Sequence, residues 1–278
     1  MQRNESGDLI GKAIEAAEAA CREILAVYGT SFTVEQKEDR SPLTEADLRA
    51  HRAISAVLKA TGLPILSEEG KAIPLPERQA WERYWLVDPL DGTKEFVKRN
   101  GEFTVNIALM GRDELPLGPL GSHRPLGGVI AVPVKDRVYF AWEGGGAHRQ
   151  DKAATFAGKD AYDRASSAMR IPVPHQREAF TVVASRSHQS VETQAFIERM
   201  RKEHGAVETT SMGSALKICL VAEGAADVYP RYAPTMEWDT AAGHAIALEA
   251  GKDLVDVTTE RSMRYNRQDL VNQWFIVQ

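Results

Sequence analysis

Two hydrophobic periods divide this chain. Between residues 7 and 28 the apolar positions are Leu9, Ile10, Ala13, Ile14, Ala17, Cys21, Ile24, Leu25 and Tyr28. Steps of three and four predict one face of a long helix. Residues 31–38 read as a strand. Thr44 with Asp47 three residues on predicts a helix N-terminus, where an acid also suits the dipole. That helix runs through Ile54, Val57 and Leu58 to a stop at Gly62. Pro64-Ile65-Leu66 predicts a short strand ending at Ser67-Glu68-Glu69. Trp85-Leu86-Val87 is a continuous apolar run and reads as a buried strand. It enters Asp88 and is stopped by Pro89, which has no amide donor. Asp91-Gly92 signals a turn, and Thr93 can cap a short helix.

Residues 103–110 predict another strand, and the Gly- and Pro-rich stretch 111–127 a surface loop. Strands at 128–134 and 137–142 predict a hairpin around Lys135-Asp136. Residues 143–178, with Gly144-Gly145-Gly146 and prolines, read as a loop or cover over a pocket. Beyond them strand and helix alternate. Strands are expected at 179–184, 206–210, 226–229 and 274–277, and helices at about 189–203, from Ser211 through Lys217, and from Glu237 to a stop at Gly251. Such alternation implies a layered α/β architecture.

Composition narrows the function. A chain of 278 residues holds one large domain or two small ones. Its net charge, 34 − 39 = −5, argues against a nucleic-acid polymer as partner but allows one small anionic ligand. Cys21 and Cys219 match no zinc or redox spacing, so a reducing, cytoplasmic compartment is expected. Residues 1–20 do not read as a signal peptide. No uncharged apolar run approaches the roughly 18 residues of a transmembrane segment. Association with the cytoplasmic side of the inner membrane stays open.

The acids carry the candidate chemistry. Asp88 and Asp91 stand three apart where a buried strand becomes a turn, with the Leu90 carbonyl between them. Carboxylates plus a backbone oxygen suit a hard divalent cation. A strand, a turn and a helix cap would account for the same residues. Glu68-Glu69 and Asp239, in the first turn of its helix, supply further acids if the fold gathers them. Four acids without histidine or cysteine favour magnesium or manganese, and several acids that close need two or three cations. Two cations about 4 Å apart activate a water and stabilise the leaving oxygen of a phosphoryl transfer. Ser214, Lys217, Arg231 and His188, at element ends, suit a phosphate and ribose pocket. No dinucleotide-binding, P-loop or serine-hydrolase motif occurs.

Asp88-Pro-Leu-Asp91-Gly-Thr93, with Glu68-Glu69 upstream and Trp238-Asp239-Thr-Ala-Ala-Gly243 downstream, resembles the inositol monophosphatase superfamily of lithium-sensitive, magnesium-dependent phosphatases. The likeness covers nearly the whole chain. The run from Thr93 through Ala108, Ser185-Arg-Ser-His188, the stretch from Ser214 to Gly224, and Tyr229-Pro-Arg231 are similar to its 3′(2′),5′-bisphosphate nucleotidases. The resemblance implies an αβαβα sandwich, an N-terminal half of about residues 1–178 and a C-terminal half of about 179–278 closing one active site. It implies hydrolysis of adenosine 3′,5′-bisphosphate to AMP in the recycling of a by-product of sulfate assimilation. It further implies that Glu68, Asp88 and the Leu90 carbonyl hold one Mg2+, and Asp88, Asp91 and Asp239 a second, with Mn2+ as a substitute. Asp47, Glu68 and Thr93 would activate water. The Gly92 and Thr93 amides would hold the scissile phosphate, and His188, Ser214, Lys217 and Arg231 the phosphorylated nucleotide. Residues 111–127 and 143–178 depart from the pattern. An inositol monophosphatase or sugar bisphosphatase on the same scaffold stays a rival, as does a catalytically silent metal or nucleotide sensor. Oligomeric state, a homodimer included, is open.

Overall fold

The computed structural model describes residues 3–36, 42–113, 121–174, 177–184 and 190–278. The first helical period folds as α1 (Glu5–Tyr28), capped by Asn4, whose side chain accepts from the Gly7 amide at 2.8 Å. The strand expected over 31–38 forms as β1 (Val34–Gln36), antiparallel to β2 (Pro42–Thr44). α2 (Glu45–Leu58) follows, and after one 3-10 turn Gly62 ends it in left-handed backbone at φ 73°.

β3 (Ile65–Ser67), α3 (Leu75–Gln79), β4 (Arg83–Asp91), α4 (Thr93–Val97), β5 (Thr104–Arg112), β6 (His123–Val132), β7 (Arg137–Trp142), β8 (Gly146–Asp151), α5 (Ala161–Ser167) and β9 (Met169–Ile171) come next. Their seven strands form one sheet in chain order, antiparallel except for β3 with β4. The second half contains β10 (Phe180–Val183), α6 (Val191–His204), β11 (Val207–Thr210), α7 (Leu216–Ala222), β12 (Tyr229–Arg231), α8 (Glu237–Glu249), β13 (Leu254–Asp256), β14 (Arg261–Ser262) and β15 (Phe275–Val277). β10 and β11 pair in parallel, while the other four strands form a sheet of order β12-β15-β13-β14. A bridge from Val182 to Val228 links the two groups.

The period of two sends alternate side chains of β4 to opposite faces. Trp85 and Val87 join Ile107 and Phe140 beneath Ile10, Ile14 and Ile54 of α1 and α2. Tyr84 and Leu86 join Met110 and Ile130 against α7 and α8, with Phe275 and Val277 beyond. On the far side Val182, Ala184 and Val228 pack on Phe196, Ile197 and Met200 of α6. These are the five layers of the expected αβαβα sandwich. Gly127 and Gly128 thin the large sheet at one place. A Cβ on Gly128 would lie 2.3 Å from the Ala242 carbonyl oxygen of α8, and one on Gly127 2.8 Å from Ile10 of α1.

Three expectations change. β4 does not stop at Pro89. Three steps along it, Asp88 to Asp91, match two along β5, Asn106 to Thr104, so Pro89 sits in a bulge. Its pairing with β3 has already ended at Val87, so the missing amide is not needed there. Residues 175–176 lie outside the described residues, and the described part of 143–178 is not a cover, because β8 and β9 extend the sheet. Their side chains include His148, Arg149, Gln150 and Arg170, and this polarity masks the alternation. Residues 123–127 likewise belong to β6 rather than to a loop, while 114–120 lie outside the described residues.

Candidate active site

The bulge in β4 is where the acids gather. Asp88 is 1% exposed, and its Oδ1 accepts from the Leu90 amide at 3.0 Å. Asp91 Oδ2 accepts from the Ala215 amide at 2.6 Å, from Asn106 at 3.1 Å and from the Thr104 hydroxyl at 3.4 Å. It thus ties β5 to the start of α7. Glu68 leaves β3 with its amide bonded to the Val87 carbonyl at 3.1 Å, which sets it beside the same strand end. Asp239, in the first turn of α8, accepts from the Met236 amide at 2.9 Å.

These four acids act on one another. Burial raises the Asp88 carboxyl far above its usual range, and Glu68, Asp91 and Asp239 raise it further. Burial, then Asp91, pushes Asp239 up to about 8, with Arg231 pulling the other way. Asp91 is also raised by burial, against the opposing pull of Lys217 and its hydrogen-bond donors. Asp47 does two things at once. Its Oδ2 caps α2, accepting from the Thr44 amide at 2.8 Å and hydroxyl at 2.6 Å, and its Oδ1 accepts from the Thr93 hydroxyl at 3.1 Å. Thr93 also lies 3.4 Å from the Leu90 carbonyl, but its single hydrogen serves one acceptor at a time.

Among the described residues no three acidic, histidine or cysteine side chains already converge as a metal site requires. One oxygen each of Asp88, Asp91 and Asp239 accepts from a protein amide. The chemistry of the set still fits a hard cation. Its donors are all oxygen, and no cation is among the leading influences on buried Asp88.

A cavity of about 470 Å3 opens beside Asp91 and Asp239. Gly92, Ser214, Lys217 and Arg231 line it. Gly92 stands at φ 94°, and a Cβ there would lie 3.3 Å from Ser214 Cβ, so a side chain would be strained and crowded. Ser214 Oγ and Arg231 Nε are buried without a protein partner among the described residues. Lys217 donates to the Ser214 carbonyl at 2.7 Å. His188 lies outside the described residues. Thr104 and Asn106, which hold Asp91, do not stand out as site residues in the sequence. Their signal is two polar residues on the same face of an otherwise apolar strand.

A model of the inositol monophosphatase family matches residues 8–276. The chain belongs to this family. The family is metal-dependent, which agrees with the oxygen-only corner. A relative from Salmonella typhimurium, named 3′(2′),5′-bisphosphate nucleotidase CysQ, is 41% identical over 259 residues, 91% of this chain and 93% of that one. The crystal structure of CysQ from Bacteroides thetaiotaomicron is 48% identical, with a TM-score of 0.86 over 99% of this chain and 97% of that one. An inositol monophosphatase from Zymomonas mobilis, 21% identical with a TM-score of 0.70 over 99% and 94%, shares the fold. Among the described residues no helix is long and apolar enough to cross a membrane.

Proposed function

We propose that this chain hydrolyses the 3′-phosphate of adenosine 3′,5′-bisphosphate to give AMP and phosphate, with the 5′-phosphosulfate analogue as a second substrate. One observation carries the reading. Asp91 and Asp239, with buried Asp88 behind them, line a cavity whose other wall holds Lys217, Arg231 and two buried polar atoms without partners among the described residues. A substrate with one phosphate to be cut and a second anionic group to be held accounts for both walls. The identity to bisphosphate nucleotidases supports the same choice over an inositol phosphate.

Mg2+, two or three ions per site, is the cation this donor set suits, with Mn2+ as a substitute. Glu68, Asp88 and the Leu90 carbonyl would hold one ion, and Asp88, Asp91 and Asp239 a second, so that Asp88 serves both. Bound there, such cations make water more acidic and offset charge on the leaving oxygen. The side chains orient the reaction. Thr93 donates its proton to Asp47, which leaves its oxygen free to accept from the attacking water. Glu68 accepts the water's other proton. The water oxygen bonds to phosphorus as the bond to the 3′-oxygen breaks, and that oxygen takes up a proton from solvent water, to which Glu68 later returns the one it accepted. The Gly92 and Thr93 amides hold the phosphate being cut, while Ser214, Lys217 and Arg231 hold the nucleotide. The assignment of His188 rests on the resemblance alone.

Residues of about 1–178 and 179–278 act as halves of one phosphatase unit, since each supplies one wall of the cavity. A homodimer is not required. The cytoplasm is the compartment this reading assigns, in keeping with two cysteines outside any disulfide. The test is phosphate release from adenosine 3′,5′-bisphosphate and inositol 1-phosphate, side by side in Mg2+, with and without Li+. Preference for the nucleotide, lost in Li+, is expected. Preference for the inositol ester would overturn the substrate assignment, and no turnover of either would overturn the enzyme.

A further inference from the structure

Arg78 is a buried arginine that faces no carboxylate at ion-pair distance among the described residues. It sits on α3 and is 2% exposed. Its guanidinium donates instead to oxygens of two separate segments. Nε reaches the Ile73 carbonyl at 3.0 Å. Nη1 reaches Asn266 Oδ1 at 2.7 Å and the Arg267 carbonyl at 2.9 Å, and Nη2 the Gln268 carbonyl at 3.1 Å. Asn266 returns a bond from its side-chain amide to the Arg78 carbonyl at 2.9 Å.

The same turn is held from its other side by a buried acid. Glu237 is fully buried and accepts from the Asn266 amide at 2.7 Å and the Arg267 amide at 2.8 Å. Its own amide donates to the Leu270 carbonyl at 2.9 Å. Glu237 is the first residue of α8, two residues before Asp239. Ile73, at the other end of the bridge, closes the segment that leaves β3 with Glu68. The turn at 266–268 is therefore gripped by Arg78 through its acceptors and by Glu237 through its amides. The bridge joins two acids that stand 171 positions apart in sequence, 239 − 68.

We propose that Arg78 is a positioning residue, which with Glu237 and Asn266 sets the separation of the Glu68 segment from Asp239 and so the affinity of the site for its cations. Arg78 touches neither substrate nor the reacting atoms. The inference rests on the assignment of Glu68 and Asp239 as cation ligands. A lysine at this position keeps the charge but not the fork that binds both segments. Partners one step behind metal ligands typically control affinity by roughly 10–100-fold.

The test uses Arg78→Lys and a milder variant, Asn266→Gly. Asn266 lies at φ 67°, so glycine keeps the turn and removes only the side-chain links. Mg2+ binding to the metal-stripped protein is measured by calorimetry. Activity is then followed against Mg2+ at saturating nucleotide. The expected result is a midpoint raised about 10-fold or more in both experiments, with kcat at saturating Mg2+ and KM for the nucleotide near those of the unaltered protein. A lowered melting temperature with an unchanged Mg2+ midpoint, in either variant that folds, would overturn the proposal. Absence of Mg2+ binding by the unaltered protein would instead overturn the cation assignment on which it rests.

Discussion

Asp88→Asn separates the two effects of charge in the acid corner. Without metal, Asp88 is a buried carboxylate that burial and three neighbouring acids hold far above its ordinary pKa. Such a group destabilises the fold increasingly as pH rises from its unfolded pKa, about 3.9, through its folded one. Each tenfold change in proton affinity is worth about 1.4 kcal/mol. Asparagine keeps the size and the acceptor for the Leu90 amide, and removes the charge. An unfolding entropy of about 2.1 cal/mol/K per residue gives about 0.6 kcal/mol/K for 278 residues. One tenfold step is then about 2 °C of melting temperature. Bound metal acts the other way. A cation at 100 times its Kd stabilises by about 2.7 kcal/mol, or about 5 °C on the same scale. Melting in EDTA and in saturating MgCl2 at pH 7.5 reads both effects. The variant should melt above the unaltered protein in EDTA, gain little from Mg2+, and release no phosphate. A variant that is less stable in EDTA, or that gains the same 5 °C from Mg2+, would refute the shared role of Asp88.

Three further outcomes follow from the geometry. Lys217→Ala should weaken nucleotide binding by about 10–100-fold, the worth of a hydrogen bond to a charged group, and barely change hydrolysis of a small phosphomonoester; equal losses on both substrates would remove Lys217 from recognition. Arg164, 1% exposed and paired with Glu18 while donating to Gln150 at 2.9 Å, should cost about 3–5 kcal/mol as Arg164→Met in urea unfolding, and a loss under 1 kcal/mol would contradict its anchoring of α5 to α1. His244 is fully buried between the Tyr265 hydroxyl at 2.9 Å and Asp253 at 2.8 Å, and burial lowers its pKa. The unfolded chain binds its proton first, so the stability His244 contributes is full above about pH 6.5 and lost as pH falls through the folded pKa. The gap in melting temperature between the unaltered protein and His244→Gln should therefore narrow from pH 7.5 to 5.5; the comparison cancels the opposite trend of Asp47 and Glu237, and a constant gap would count against the assignment.

The strongest sequence signals were those with a regular period or a dense block. The apolar stripe of α1 and the apolar run of β4 each follow a helix or strand rule, and both elements formed, β4 running past its expected stop to Asp91. The acids at 68, 88, 91 and 239 were readable as candidates because their types suit one chemistry. Their meeting came only from the family resemblance and not from local pattern, since it depends on a bulge and on α8 crossing the sheet at Gly128. Pro89 read as a stop because its lost amide is a local fact, whereas the absence of a β3 partner at that height is a tertiary one. β8 and β9 escaped notice because His148 and Gln150 are buried in positions that usually hold apolar residues. Asp47 looked like a helix cap, and it is one; its second bond, to Thr93, joins residues 46 apart and leaves no local trace.

The order β12-β15-β13-β14 has a consequence for synthesis. β15 stands between β12 and β13, yet it is later in the sequence than either. As the chain emerges from the ribosome, β12 with Arg231 is made before the strand that joins it to β13. Until residue 277 is free to pair, the strand that carries Arg231 lacks its antiparallel neighbour. A nascent chain therefore carries all four acids of the corner before the sheet behind the opposite wall of the pocket is complete.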